Sequence, residues 1–435
     1  MTARVIGAGL AGCEAANQLA KQGISVELYE MKPKKYSPAH KSENFCELVC
    51  SNSLKAERIE NACGLLKAEM RLFNSVMMQA ADVSKVPAGG ALAVDRDIFS
   101  KEATRIIREN PLITVVNDEF TKIDTDIPTI IATGPLTSGA LLSEIAHLTK
   151  SEGLYFFDAA APIVAKDSID MDKVFYGARY GRGSDDYINC PMNKEEYEAF
   201  YNALISAETV PLKDFEGAEV FEGCMPIEVM AKRGEKTLLF GPLKPVGLVN
   251  PKTGKDDSYA VVQLRQDNRE DTLYNIVGFQ TNLKWGEQKR VFSMIPGLHD
   301  AEFIRYGVMH RNTYLDSPRI LNKYYQMRKY PNIFFAGQIT GVEGYVESAS
   351  SGILAGYNMA RKILGKDFFE PSKKTAIGAL PLYISDENVK KLQPMNANFG
   401  IIEPLDYWAH KNERNLRIAL RALKILEDSL LKEKI

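Results

Sequence analysis

A glycine-rich turn close to the amino terminus constrains the fold more than any other part of the sequence. The string Gly7-Ala8-Gly9-Leu10-Ala11-Gly12 follows a strand-like run at 3–6 and begins a helical pattern that reaches Lys21. A second strand-like run at 24–29 comes next and ends just before Glu30. A Gly-x-Gly-x-x-Gly turn between a strand and a helix, answered by an acidic residue after the next strand, predicts a dinucleotide-binding βαβ unit.

Each part of this unit has a physical role in such a site. The first glycine permits the tight turn, the second lets the backbone approach a pyrophosphate, and the third brings the helix close to the strand. Amides at the helix N-terminus have no partner inside the helix, so they can donate hydrogen bonds to phosphates. The carboxylate of Glu30 would bind ribose hydroxyls.

Two later strand ends decide between FAD and a nicotinamide as the bound dinucleotide. The strings Ala132-Thr133-Gly134 and Gly337-Gln338 each end a short apolar strand, and they resemble further signatures of the glutathione-reductase family of flavoproteins. The chain has no second complete Gly-x-Gly-x-x-Gly unit, so we expect bound FAD and an NAD(P)H that visits transiently. The predicted FAD-binding residues are Gly7, Ala8, Gly9, Leu10, Ala11, Gly12, Glu30, Gly134, Gly337 and Gln338.

The length of the chain and the changes in its pattern of predicted strands and helices indicate two units. A chain of 435 residues is too long for one compact core. Short strand-like runs and Gly/Pro turns dominate 155–288, whereas the flanking parts alternate strands with helices. We therefore expect an α/β fold, in which a Rossmann-type FAD-binding domain of the glutathione-reductase family (1–154 and 289–435) carries an inserted α+β domain. A basic amphipathic helix is expected at 408–434.

Composition limits the classes of partner. The formal net charge is −2, so bulk charge does not attract nucleic acid, and an RNA would have to bind a local basic patch. The sequence has no stretch of eighteen apolar residues and no signal peptide at its start, so we expect a cytoplasmic protein with reduced thiols and no membrane contact.

The six cysteines divide into three groups. Cys50 and Cys224 each lie at a break flanked by small or turn-forming residues, where a thiol can face a cleft. Apolar residues recur at helical spacing from Asn44 to Asn74, interrupted near 51–53 and at Gly64, so two helices are expected there. Cys46 precedes Cys50 by four residues within this pattern, but no other Cys or His pair completes a zinc site, so we expect no metal. A Cys46–Cys50 redox pair stays open as an interpretation. The remaining thiols are expected to be buried small hydrophobes, namely Cys13, Cys63 and Cys190.

Six strings of the sequence resemble the folate- and FAD-dependent tRNA (uracil-5-)-methyltransferase family, which is related to the tRNA-modifying protein GidA. The resemblance covers essentially the whole chain. The strings that carry it are 7–12 (GAGLAG), 29–33 (YEMKP), 47–53 (ELVCSNS), 87–96 (PAGGALAVDR), 222–228 (EGCMPIE) and 337–345 (GQITGVEGY).

The resemblance implies an activity. The family methylates carbon 5 of the T-loop uridine of tRNA, with 5,10-methylenetetrahydrofolate as carbon donor and reduced FAD as methylene carrier and reductant. Some members of the broader group act on 23S ribosomal RNA instead. By analogy, Cys224 is the nucleophile toward carbon 6 of the uracil and Cys50 is the base that removes the carbon-5 proton, although the two roles could be exchanged.

Two other functions stay open at this point. One is a flavin-dependent NAD(P)H or disulfide oxidoreductase that uses Cys46 and Cys50; the other is an FAD-stabilised scaffold without catalysis. If the substrate is the T-arm of tRNA, two stretches combine cations with aromatic rings, 176–182 and 322–330, and they are the expected RNA-binding patches.

Overall fold

The computed structural model describes residues 2–150, 154–181, 184–211, 225–370, 372–390 and 392–432. The strands are Thr2–Ile6 (β1), Ser25–Tyr29 (β2), Ser53–Ala56 (β3), Lys85–Val86 (β4), Ala91–Val94 (β5), Ile113–Val116 (β6), Thr129–Ile131 (β7), Leu154–Ala159 (β8), Ile163–Ala165 (β9), Phe175–Tyr176 (β10), Tyr187–Met192 (β11), Ala260–Gln266 (β12), Leu273–Ile276 (β13), Phe303–Arg305 (β14), Met309–Tyr314 (β15) and Ile333–Phe335 (β16).

The α-helices alternate with these strands in the first part of the chain, and three of them follow β16. The α-helices are Leu10–Lys21 (α1), Ala62–Leu72 (α2), Val76–Ser84 (α3), Arg96–Arg108 (α4), Gly139–Thr149 (α5), Lys194–Ser206 (α6), Ile227–Lys232 (α7), Thr237–Phe240 (α8), Trp285–Phe292 (α9), Ser317–Ile320 (α10), Tyr345–Ile363 (α11), Ala376–Ile384 (α12) and Lys411–Lys432 (α13).

A five-stranded parallel sheet forms the centre of the first unit. Its order is β16-β7-β1-β2-β6, and every neighbouring pair is parallel. The predicted βαβ unit is therefore confirmed, with β1 and β2 as neighbours and α1 as the crossover. Four of the predicted FAD-binding residues each follow the carboxyl end of a strand in this sheet, namely Gly7, Glu30, Gly134 and Gly337. They therefore meet at one edge.

A six-stranded antiparallel sheet forms the second unit, in the order β10-β11-β12-β13-β9-β14. Helices α6, α7 and α9 pack on it around a separate core that includes Tyr197, Phe200, Phe279 and Phe292. The boundaries 155 and 288 stay a prediction. Because β14 pairs in this sheet, we propose that the second unit ends after Arg305.

Helices α1 and α11 pack unusually closely, because small residues face each other. A Cβ on Gly352 would lie 2.1 Å from the carbonyl oxygen of Ala11, and a Cβ on Gly356 would lie 2.5 Å from that of Ala15. Both distances are far inside van der Waals contact. The two helices therefore approach backbone to backbone, which fixes α1 against the sheet.

The helical pattern expected from Asn44 onward is wrong before residue 62. Residues 44–50 form irregular turns, and β3 follows them. The apolar spacing has another cause: Phe45 and Leu48 are buried in the first core, although the segment that carries them has no helical hydrogen bonding.

The C-terminal helix is confirmed as α13, which buries Ile418 and Leu426. Among the described residues, no helix is both long and apolar enough to cross a membrane.

We expect Gly352→Ala to lower the free energy of unfolding by about 1–3 kcal/mol, because the added methyl group overpacks the α1–α11 contact. The matched control is Gly139→Ala, at an exposed helical position where a Cβ has no atom within 4 Å. Chemical denaturation should leave the control at or slightly above wild-type stability. Equal stability of the two variants would contradict the close approach.

We also expect stability to depend on the ionisation of Glu69. This buried carboxylate accepts hydrogen bonds from the amides of Ala376 and Ile377 at the start of α12. Burial nevertheless raises the pKa of Glu69 from 4.5 to about 8. Since the unfolded chain ionises Glu69 at its ordinary pKa, the free energy of unfolding should fall as the pH rises from about 5 to about 8.

Denaturation at several pH values checks this expectation. Glu69→Gln should flatten the decline, because the side chain no longer titrates. Glu60→Gln, at an exposed position two residues before α2, should keep the wild-type decline. A Glu69→Gln profile that still falls as steeply as wild type would assign the decline to another group.

Candidate functional site

A cleft with an empty volume of about 1200 Å³ opens at the carboxyl edge of the parallel sheet. It is bounded by the ends of β1, β2, β7 and β16 and by the start of α1. Nine of the ten residues predicted to bind FAD line it, namely Gly7, Ala8, Gly9, Leu10, Ala11, Glu30, Gly134, Gly337 and Gln338. Gly12 is the tenth, and it lies behind the turn.

The three glycines of the turn differ in what surrounds them. Gly7 has a φ of +97°, and a Cβ there would lie 2.7 Å from the carbonyl oxygen of Ala132. A Cβ on Gly12 would lie 1.8 Å from the carbonyl oxygen of Gly7. A Cβ on Gly9, in contrast, would meet nothing within 4 Å, so at this position the backbone itself faces the open cleft.

The N-terminus of α1 is arranged to bind an anion. Gly9 is the N-cap, no side chain accepts a hydrogen bond from the leading amides, and the first turn has no acidic residue. The helix has 12 residues, and its dipole and uncapped amides point toward the cleft. These features fit the pyrophosphate of FAD, which would lie against Gly9 and Leu10.

Glu30 fits the ribose of the same cofactor. Its carboxylate is buried, and one oxygen accepts a hydrogen bond from the amide of Ala8 at 3.0 Å, while the other accepts from the amide of Lys32 at 3.0 Å. A carboxylate has about four lone-pair sites, so capacity for two ribose hydroxyls remains. The two amides fix its orientation toward the cleft.

The opposite wall of the cleft is held by α11. Gly337 has a φ of +82°, and its amide donates to the hydroxyl of Ser351 at 2.6 Å. Gln338 is positioned by a hydrogen bond from its side-chain amide to the carboxylate of Glu343. Tyr345, the first residue of α11, also lines the cleft. The carboxyl ends of β7 and β16 therefore face the glycine turn across the cleft.

The segment that contains Cys50 lies at the rim of this cleft, which Cys46 and Val49 line directly. Cys50 itself is half-buried. Its amide donates to the hydroxyl oxygen of Tyr345 at 2.7 Å, and the amide of Ser51 donates to the same oxygen at 3.3 Å. Burial raises the pKa of the Tyr345 phenol well above its ordinary value, so this hydroxyl stays protonated.

Three arginines hold the same segment, which we call the thiol segment and define as residues 48–52. Arg305 donates to the carbonyl oxygen of Val49, and Arg96 donates to that of Leu48 at 3.1 Å. Arg265 donates to the side-chain oxygens of Asn52 at 3.1 Å and Ser51 at 2.8 Å. These arginines belong to β14, α4 and β12, so both units contribute to the site.

The charge of Arg305 bears on the Cys50 thiol. Burial and the nearby Arg96 lower the pKa of the Arg305 guanidinium, while a Cys50 thiolate raises it. Arginine keeps its charge in proteins, so Arg305 places a positive charge near the Cys50 side chain. No motif in the sequence singles out Arg265 or Arg305. Arg96 and Tyr345 do stand in the family-like strings, but the resemblance assigned them no role.

Cys224 lies outside the described residues, so its distance from Cys50 stays open. Cys46 precedes Cys50 by four residues, but its side chain interacts with a different thiol, that of Cys13. Cys46 is buried with a φ of +54°, and its amide donates to the carbonyl oxygen of Ala8 at 3.1 Å. Burial raises the pKa of the Cys13 thiol well above its ordinary value, and the interaction with the Cys46 side chain raises it further.

In the patch 322–330, two cations and one ring are bonded to acidic side chains, and the patch stays a prediction. Lys323 and Tyr324 both hydrogen-bond to Glu370, and Arg328 forms an ion pair with Glu387 at 2.7 Å. Tyr325 is buried and cannot stack on a base. Within the described ranges, no three His, Cys, Asp or Glu side chains are grouped as a metal site requires.

In the patch 176–182, the rings of Tyr176 and Tyr180 are exposed. Arg179 is bonded to Gln263 and to the carbonyl oxygen of Val246. Arg182 lies outside the described residues. The exposed rings of this patch could therefore stack on bases, whereas its one described arginine is hydrogen-bonded within the protein.

Comparison with known proteins agrees with this geometry. The family model of glucose inhibited division protein A (GidA) matches residues 2–367. A methylenetetrahydrofolate–tRNA-(uracil-5-)-methyltransferase TrmFO from Acetivibrio thermocellus is 63% identical over 426 residues, which cover 98% of this chain and 97% of that protein. The enzyme of the same name from Anoxybacillus flavithermus is 60% identical over 433 residues, 99% of this chain and 100% of that protein.

Solved structures agree on the fold. The structure of Aquifex aeolicus GidA in one crystal form superposes with a TM-score of 0.70 at 15% sequence identity, covering 98% of this chain and 73% of that chain. The matched family model, the full-length relatives and the dinucleotide cleft lead to one conclusion. The chain belongs to the GidA family and, within it, to the methylenetetrahydrofolate–tRNA-(uracil-5-)-methyltransferases.

Proposed function

We propose that the protein methylates carbon 5 of the T-loop uridine of tRNA, with 5,10-methylenetetrahydrofolate as the carbon donor. The observation that carries the proposal is a cysteine, Cys50, held at the rim of a dinucleotide cleft among arginines. The names of the full-length relatives specify tRNA as the substrate, and they favour it over ribosomal RNA. A disulfide oxidoreductase finds less support, because Cys46 lies against Cys13.

The chemistry needs two groups that cysteine can supply. Carbon 5 of uracil is a weak nucleophile until a thiolate adds to carbon 6 and converts the ring to an enolate. Carbon 5 can then bond to the one-carbon unit, after which a base removes its proton and the thiolate leaves carbon 6. We assign the nucleophile to Cys224 and the base to Cys50.

The residues around Cys50 suit a base. The guanidinium of Arg305 places a positive charge near the thiol, and the hydroxyl of Tyr345 fixes the backbone at Cys50 and Ser51. A fixed base is efficient because proton transfer requires hydrogen-bond reach of the target. Arg265 and Arg96 keep the segment in place from the two units without touching the cleft.

Bound FAD, in its reduced form, supplies the one-carbon carrier and the reductant that turns the transferred methylene into methyl. We further propose that NAD(P)H renews the reduced flavin by a transient visit, since the sequence has one dinucleotide fingerprint. The proposed place of action is the cytoplasm, where unmodified tRNA and reduced folates are present together.

The first test is transfer of label from the methylene of methylenetetrahydrofolate to unmodified tRNA. Wild type should form labelled 5-methyluridine, and Cys224→Ala should form none. Cys50→Ala should be slower by about 10²–10⁴-fold, the usual contribution of a positioned base. Cys190→Ala is the control, because this thiol is buried in the second sheet and should not affect transfer. Full activity of Cys50→Ala would remove Cys50 from the mechanism.

The second test concerns the cofactor. Glu30→Gln should weaken FAD binding about tenfold, because a neutral amide is a poorer acceptor for ribose hydroxyls than a carboxylate. Glu27 lies on β2, the strand that ends just before Glu30, and it pairs with Arg4 outside the cleft, so Glu27→Gln should retain the flavin. Flavin absorbance per chain after dilution measures both. Unchanged retention in Glu30→Gln would refute the ribose contact.

A further inference from the structure

Three aromatic rings form a stack at the edge of the second unit. Trp285 lies parallel to Tyr306, with centroids 5.7 Å apart and an interplanar angle of 13°. Tyr306 in turn lies parallel to Phe303 at 5.4 Å and 6°. Phe303 contacts the buried ring of Phe292 at 6.5 Å. The stack therefore begins in the core and ends at Trp285.

The outer ring of this stack is largely open to solvent. The exposed fraction of Trp285 is 62%, although one of its faces lies against Tyr306. Burying an indole normally stabilises a fold, so a ring held in the open by a built support is unusual. In the described part of the chain, Trp285 and Phe240 are the large aromatic side chains most exposed in the second unit.

The support of the ring is rigid. Trp285 is the first residue of α9, and Gln288 in the same helix is fully buried. The Gln288 side chain accepts from the amide of Gly307 at 2.8 Å and donates to its carbonyl oxygen at 2.9 Å. Gly307 directly follows Tyr306. The helix that carries Trp285 and the segment that carries Tyr306 are therefore fixed to each other.

The stack also adjoins the thiol segment. Tyr306 follows Arg305, the residue that donates to Val49 and faces Cys50. Consecutive Cα atoms are about 3.8 Å apart, so the backbone position that carries the Tyr306 ring is next to the one that carries Arg305.

Three cations lie on or next to the helix that carries the exposed ring. Lys284, Lys289 and Arg290 all have exposed side chains on or next to α9. Lys284 pairs with Glu208, and Arg290 pairs with Glu287, in ion pairs at the surface that are weak and can exchange partners. A planar ring flanked by lysine and arginine is the combination by which proteins hold an unpaired base and its phosphates.

We propose that Trp285 is a stacking platform for an unpaired base of the RNA substrate, outside the target uridine. This inference rests on the proposed function. A protein surface fits less well, because stable protein interfaces bury about 800 Å² on each partner, and a single ring among charged side chains offers far less apolar area. The exposed face of a single ring is, in contrast, enough to stack with one base.

The test uses the two tryptophans of the chain, Trp285 and Trp408. In a Trp408→Phe background, the emission reports Trp285 alone. Titration with an unmodified T-arm hairpin should quench this emission, because a base stacks on the indole. Hairpins with one abasic site each should identify a single unpaired nucleotide whose loss abolishes the quenching. Quenching that survives every abasic site would overturn the proposal.

Binding and turnover supply the second readout. Trp285→Ala should raise the Kd for the hairpin about 5- to 100-fold, as expected for one stacked base at ~1–3 kcal/mol, with FAD content unchanged. Trp285→Phe should recover most of the affinity. Phe240→Ala is the matched control, because this ring is 83% exposed but lies outside the stack.

The outcomes separate the inference from the proposed function. If wild type methylates the hairpin and Trp285→Ala binds it as tightly, the platform is refuted and the methyltransferase remains. If wild type methylates no RNA, the proposed function fails and the platform fails with it. If the Trp285 emission changes with protein concentration in the absence of RNA, the ring contacts a second copy of the chain, which overturns the proposal.

Discussion

The site depends on the way in which five residues, 48–52, are held between two independently packed units. Their backbone and side-chain polar groups are bonded by Arg96 and Tyr345 from the first unit and by Arg265 and Arg305 from the second. Buried or half-buried polar groups of this kind must find partners, so the segment has one favoured position. Cys50 reaches the rim of the cleft only because both units contribute.

The cleft itself has a simpler origin. Backbone approaches that only glycine allows bring α1 against β1 and against α11, and this leaves the leading amides of α1 uncapped at the carboxyl edge of the sheet. The part of the site that binds the dinucleotide is thus formed by residues close together in sequence. The thiol segment, in contrast, is held by residues from both units that are distant in sequence. A reaction that joins a flavin to an RNA base needs both ends within reach.

This difference explains what the sequence could predict. The βαβ unit and six of the nine lining residues follow from the glycine turn and the strand after it, and the other three follow from two later strand ends. The helix expected at 44–50 was wrong, because buried Phe45 and Leu48 imitate helical spacing in a segment tied to Ala8 and Tyr345. Nothing in the sequence near Cys50 points to distant strand residues, so their role required the fold.

Surface charge was equally hard to interpret from sequence. The basic stretch at 322–330 resembled an RNA patch, but its cations pair with Glu370 and Glu387, which lie far along the chain. In contrast, the polar helix start at Trp285 carried no motif, and it became notable only when Tyr306 was found beneath it. Ring stacking and ion pairing both depend on contacts that are distant in sequence.

The measurement that tests the central claim most directly is covalent trapping with a T-arm RNA that carries 5-fluorouridine at the target position. The fluorine on carbon 5 cannot leave as a proton does, so the thiolate should stay bonded to carbon 6. Mass spectrometry should find the adduct on Cys224 in wild type and in Cys50→Ala, and none in Cys224→Ala. An adduct on Cys50 would exchange the two roles; no adduct with any protein that binds the RNA would contradict thiol catalysis.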